Sequence, residues 1–226
     1  NIHNHPKSFV LYQNMMLGNN VDVTPSYNVE NSLLSANYDP DLEAFVISIP
    51  KNLRFQNGRL VEAEDLRFSL LRSLFIKGWF NAGTALLWSV EGVVNVKPGD
   101  AYHPEKVTGV KILNKHQVAV KLRFPSESFL YSLTSSYFSP VPREALESDM
   151  YTWKTHPIGA GDYKVIYDDP SSSRVVLEKI SSGMNEAKLN LNYSPKIIIW
   201  TSEPEDNADF DYFFSPGTEV KEKNVF

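Results

Sequence analysis

The sequence contains no cysteine. That excludes disulfide staples, thiolate nucleophiles and cysteine-ligated zinc or iron–sulfur centres. No stretch approaches the roughly 18 apolar residues of a membrane-crossing helix, and no signal-like apolar segment lies near Asn1. A basic run is missing too. With 22 lysines and arginines against 27 aspartates and glutamates, the net charge is −5. Such a chain suits the phosphate backbone of nucleic acid poorly, so no nucleic-acid partner is expected. The Gly-x-Ser-x-Gly elbow, the Gly-x-x-x-x-Gly-Lys phosphate loop and the His-Glu-x-x-His metal helix are all absent. No enzymatic activity, cofactor or metal is expected.

What is present is ordinary globular material: 226 residues, 42% hydrophobic and 22% charged, enough for a core in one domain or two. Aromatics reach 12%, which suits a β-rich core or a ring-lined cleft. The histidines do not form a ligand set. His3 and His5 share a side only if their segment is extended, and His103, His116 and His156 fall in loops without metal-ligand spacing. Glu62, Glu64 and Asp65 form a carboxylate cluster that helix-dipole placement explains without catalysis.

The stretch from Leu53 to Leu74 organises the chain. An extended lead-in ends at Phe55, and Asn57-Gly58 follows as a turn, since both residues tolerate positive φ. From Ala63 onward, Leu66, Leu70, Leu71 and Leu74 recur at three- and four-residue spacing, which predicts a helix with one apolar face. Ahead of this element, a short amphipathic helix is predicted over Phe9–Leu17, and strands over Ser32–Tyr38 and Glu43–Pro50 with a turn at Asn37–Asp41. Behind it come a strand pair, Val110–Leu113 and Gln117–Leu122, and a helix over Ser126–Ser135. Strands over Tyr163–Tyr167 and Arg174–Ile180 follow. The apolar run Lys196–Thr201 reads as a strand buried on both faces, and Asp209–Phe214 as the next strand. Only Ser202–Ala208 joins the last two, which is short for a parallel crossover.

The order of residue types adds a family. Phe55-x-x-Gly58, then Leu60-x-x-Ala63-Glu64-Asp65-x-x-Phe68-Ser69-Leu70, resembles the signature of the extracellular solute-binding proteins, family 5, of ABC importers. That branch includes the dipeptide- and oligopeptide-binding proteins. Ser139-Pro140-Val141-Pro142 and Pro157-Ile158-Gly159-Ala160-Gly161-Asp162-Tyr163 resemble its later motifs, at the expected distance. The chain departs from the family at Asn57, usually aspartate, and at Glu62, usually a threonine cap. Ala160 and Asp162 replace threonine and proline, and Gln13-Asn14 replaces Glu-Gly.

The resemblance implies a mixed α/β, periplasmic-binding-protein type II-like lobe with an inserted β-rich subdomain, the second lobe lying outside this chain. The implied division puts residues 1–20 and 156–226 in the main lobe and 21–155 in the subdomain. It also implies a substrate-binding component in the periplasm or at the cell surface, which captures a peptide or similar small solute between two lobes. The partner would be an ABC-type membrane permease. Other attachments of the same lobe would make it a ligand-sensing domain of a regulator, or a protein–protein interaction module. Phe55, Gly58, Ala63, Asp65, Ser69, Pro157, Gly159, Gly161 and Tyr163 are expected to shape the lobe. The candidate ligand-binding residues are Gln13 and Asn14, by position in the family pattern, and Trp79, Phe80 and Trp88, by ring chemistry. Those three rings can line a cleft or pack inward.

Overall fold

The computed structural model describes residues 33–77, 85, 87–124, 126, 128–133, 138–169, 174–180, 196–200, 212–213 and 221–222. Strands β1 (Ser35–Asp39) and β2 (Ala44–Ser48) pair antiparallel. Their turn begins later than the sequence suggests. Asp39 Oδ1 accepts the N–H groups of Asp41 (2.9 Å) and Leu42 (3.0 Å), an Asx-type closure, and Glu43 completes it with φ 49°.

Strands β3 (Val110–Asn114) and β4 (Gln117–Val120) form the predicted hairpin, and the four strands run in the order β1-β2-β4-β3. With β4 inside the sheet, Val118, Ala119 and Val120 are all buried, whereas alternation had predicted a half-buried pair.

Helix α1 (Ala63–Phe75) starts where its acidic first turn predicts. The Asp65 carboxylate accepts the backbone N–H of Glu62 at 2.9 Å, so N-terminal capping survives the loss of a hydroxyl at position 62. The helix is apolar on more than the single predicted face. Leu66, Leu70, Leu71, Leu74 and Phe75 enter a core with β1–β4 and with Phe129, Leu130 and Leu133 of the short helix α2 (Ser128–Leu133). Phe68 enters a second core. Tyr102 packs against both cores, its ring edge-on to Phe68 (5.2 Å) and Phe75 (5.1 Å).

The second core belongs to an antiparallel sheet of order β5-β6-β7: β5 (Tyr163–Asp169), β6 (Arg174–Lys179) and β7 (Lys196–Trp200). Val175 pairs with Ile199 and Leu177 with Ile197, and Val175, Leu177 and Ile199 face inward with Phe68, Val141, Leu146 and Tyr163. Here one expectation fails. The run Lys196–Thr201 reads as buried on both faces, yet Ile198 is 53% exposed. An antiparallel strand needs only one covered face, and Ile198 is on the other. Strands β8 (Tyr212–Phe213) and β9 (Lys221–Glu222) pair with each other. No helix among the described residues is long and apolar enough to cross a membrane.

Candidate functional site

The turn after Phe55 is closed by local bonds. Gly58 N–H donates to Phe55 O (2.8 Å), Phe55 N–H donates to Arg59 O (2.9 Å), and Asn57 Oδ1 accepts the N–H of Arg59 (3.1 Å). Asparagine at 57 therefore supplies the acceptor that an aspartate would. Gly58 takes φ 87°, the left-handed region that favours glycine.

Gln56, in the same turn, reaches across the chain. Its backbone N–H donates to Gly159 O at 3.0 Å, and its side-chain Oε1 accepts the Gly159 N–H at 3.0 Å. Its Nε2 donates to the Tyr163 carbonyl. One residue thus fastens the Phe55–Gly58 segment to the Pro157–Tyr163 segment. Neither Gly159 nor Gly161 has positive φ, so the bend at 160–162 does not use the left-handed region. Gly159 and Gly161 are instead buried backbone, with Gly159 bonded at both its amide and its carbonyl. Pro157 is half-buried beside them, and Tyr163 is buried in the second core.

Two further ties hold α1. Ser69 Oγ donates to Asp65 O (2.7 Å) and accepts the Val141 N–H (2.8 Å), which fixes the Ser139–Pro142 segment to the helix. Arg59 grips Asp65 with two bonds, at 2.9 and 2.7 Å, and reaches Glu144 at 2.6 Å. The hydrogen bond to Asp65 is the largest cause that holds the Arg59 guanidinium above its ordinary pKa. Arg143 lies over the Tyr102 ring at 4.8 Å, and burial pushes the Tyr102 hydroxyl well above the usual phenol range. Arg72 is half-buried and donates to Met150 O (3.2 Å), where desolvation pulls it down to about 10.

Of the residues expected to shape the lobe, Phe55 and Gly58 share the turn whose Gln56 bonds Gly159 and the Tyr163 carbonyl, Ala63, Asp65 and Ser69 lie on α1, and Pro157 and Gly161 flank Gly159 in the chain. Of the ring and amide candidates, Gln13, Asn14, Trp79 and Phe80 lie outside the described residues. Trp88 occupies a 3-10 turn, Leu87–Ser89, with Leu87 buried and its own side chain 50% exposed. Its backbone is pinned: Arg123 donates its side chain to Trp88 O and its N–H to Ser89 O (2.7 Å). The side chain is half open to solvent beside a pinned backbone. Nothing in the sequence marks Gln56 or Glu144, because each acts on a partner remote in the chain, and Arg59 is told apart only by bridging Asp65, six residues on, to Glu144. No group of three or more histidines, aspartates or glutamates among the described residues could hold a metal ion.

The profile of the bacterial extracellular solute-binding proteins, family 5 Middle, matches residues 28–207. The chain belongs to this family. The family is one of binding proteins rather than enzymes. Among solved structures, the chain is similar to the murein tripeptide binding protein MppA of Escherichia coli (17% identity, TM-score 0.67), covering 86% of this chain and 37% of that one. It is also similar to the periplasmic oligopeptide-binding protein OppAIV of Borrelia burgdorferi (22% identity, TM-score 0.65), covering 88% and 39%. OppA of Haemophilus influenzae, solved with the peptide RPPGFSPFR, is similar at 19% identity and TM-score 0.59, covering 80% and 35%. Likeness at these identities shows a shared fold, and the family 5 chain spans less than two-fifths of the length of each of these structures. No curated protein matches it significantly by sequence.

Proposed function

We propose that this family 5 chain is the N-terminal part of the substrate-binding component of an ABC importer. That component captures peptides or a similar small solute between two lobes and delivers them to a membrane permease. Residues 1–20 with 156–226 form the main lobe, 21–155 form the inserted subdomain, and the protein works in the periplasm or at the cell surface. The observation that carries this reading is the direct junction of the two family segments through Gln56, Gly159 and Tyr163, inside a fold shared with peptide-binding proteins. Capture needs no covalent chemistry. It needs apolar burial, a few orienting polar groups and a rigid wall to close against, and the bonded start of α1 supports such a wall. Gln13, Asn14, Trp79, Phe80 and Trp88 are the proposed ligand contacts.

The test is calorimetric titration of the family-length protein with a panel of peptides and sugars, alongside small-angle scattering. Saturable binding with a smaller radius of gyration is expected. Silence across the panel, together with stable association with another protein, would replace transport by an interaction role. Closure in a protein fused to a signalling domain would make it a sensor.

A further inference from the structure

Asn57 and Gly58 form the single Asn-Gly pair in the sequence. Both are exposed, at the tip of the turn between Phe55 and Arg59. Asn57 Oδ1 accepts the N–H of Arg59 at 3.1 Å, so the side-chain amide is folded forward over the Gly58 peptide. The same bond polarises the Asn57 Cγ carbonyl and offers a donor to negative charge developing on its oxygen. Where a Cβ on Gly58 would sit there is open space, with no heavy atom within 4 Å. The obstacle is one bond, from Gly58 N–H to Phe55 O at 2.8 Å, on an exposed turn.

We infer that Asn57 is a site of spontaneous modification by deamidation. The Gly58 nitrogen, losing its proton to solvent base, attacks Asn57 Cγ. The new N–Cγ bond forms as Cγ–Nδ2 breaks, and nitrogen leaves as ammonia. Water then opens the five-membered imide at either carbonyl, giving aspartate or isoaspartate at that position, with no oxidant or reductant involved.

The two products differ in consequence. The aspartate product still accepts the Arg59 N–H, now with a charge-assisted bond. Isoaspartate inserts an extra main-chain carbon between Phe55 and Arg59, which disturbs the Arg54–Leu60 bridge and the register of Gln56 with Gly159. Modification thereby makes the turn that supports the lobe a slow clock. The inference does not rest on the transport reading.

The test incubates the folded chain at mildly alkaline pH and follows the tryptic peptide Phe55–Arg59 by mass and chromatography. A gain of one dalton at Asn57 ahead of every other asparagine, split into two products, is expected. Asn57→Gln removes that signal, and Asn57→Asp co-elutes with one product. Modification of another asparagine first, no modification in the folded chain, or conversion of Asn57 only in urea would each overturn the proposal.

Discussion

The side chain of Gln56 accepts the amide hydrogen of Gly159, 103 residues away, while the Gln56 amide donates to the carbonyl of the same glycine. This reciprocal pair joins the turn ahead of α1 to the lead-in of β5, and so ties the four-stranded sheet to the three-stranded one. Gln56→Ala strips the Gly159 N–H of its acceptor and removes one donor from the Tyr163 carbonyl in a partly buried place. An orphaned donor costs about 1–3 kcal/mol, so a loss of about 1–3 kcal/mol in urea unfolding is expected. Gln56→Glu keeps the acceptor for Gly159 but turns a carboxylate toward the Tyr163 carbonyl. Its deficit should shrink as pH falls and the side chain regains a proton to donate. A deficit unchanged by pH would show that the Tyr163 bond carries no weight.

Ser69→Ala removes a buried hydroxyl that donates to Asp65 O and accepts from Val141 N–H. The Asp65 carbonyl keeps its place in the helix ladder, but the Val141 amide is stranded. A destabilisation of about 1–3 kcal/mol is expected, with faster hydrogen exchange at Val141 as the local readout. Unchanged exchange there would refute the tie.

Two glycines with similar positive φ should respond differently to alanine. Gly58→Ala, at φ 87° in open space, costs only the left-handed penalty of about 1–2 kcal/mol. Gly92, at φ 83°, would place a Cβ 2.5 Å from the backbone nitrogen of Thr108. Backbone has to move there, so Gly92→Ala should cost more than Gly58→Ala by thermal denaturation. Equal melting temperatures would contradict the packing.

The acid limb of stability has named contributors. Asp149 is held below its ordinary pKa chiefly by the Thr152 hydroxyl, helped by the N–H groups of Thr152 and Tyr151. Glu43 is held down by its hydrogen bond to Lys121, and Asp100 by its hydrogen bond to Lys106. A carboxylate whose folded pKa is depressed contributes stability above its unfolded pKa, near 4, and loses it as pH falls through the lower folded value. Denaturation midpoints should therefore hold at neutral pH and drop once pH passes below about 4. Asp149→Asn, which keeps an oxygen acceptor but no charge, should flatten that drop. An unaltered acid limb would count against Asp149.

Trp88 separates fold from function. Trp88 is 50% exposed and its backbone is held by Arg123, so Trp88→Ala should cost only about 1–2 kcal/mol, from the covered half of the side chain. If the ring meets the ligand, the same substitution in the family-length protein weakens peptide binding in calorimetry. Unaltered affinity would remove Trp88 from the contact set.

Much of the local architecture was legible in the residues, because its causes are local. The Asn57–Gly58 turn, the acidic start and leucine spacing of α1, the β3–β4 hairpin and the glycine-bearing approach to Tyr163 follow from φ preferences, the helix dipole and periodicity over a few positions. The family followed from the order of those elements. Tertiary structure alone decided the rest: that Gln56 bonds Gly159 and Tyr163, that Phe68 serves a different core from Leu70, and that Ile198 is open although its neighbours are apolar. A side chain's pairing or burial depends on what the remainder of the chain brings beside it, and that juxtaposition leaves no mark within a few residues of sequence.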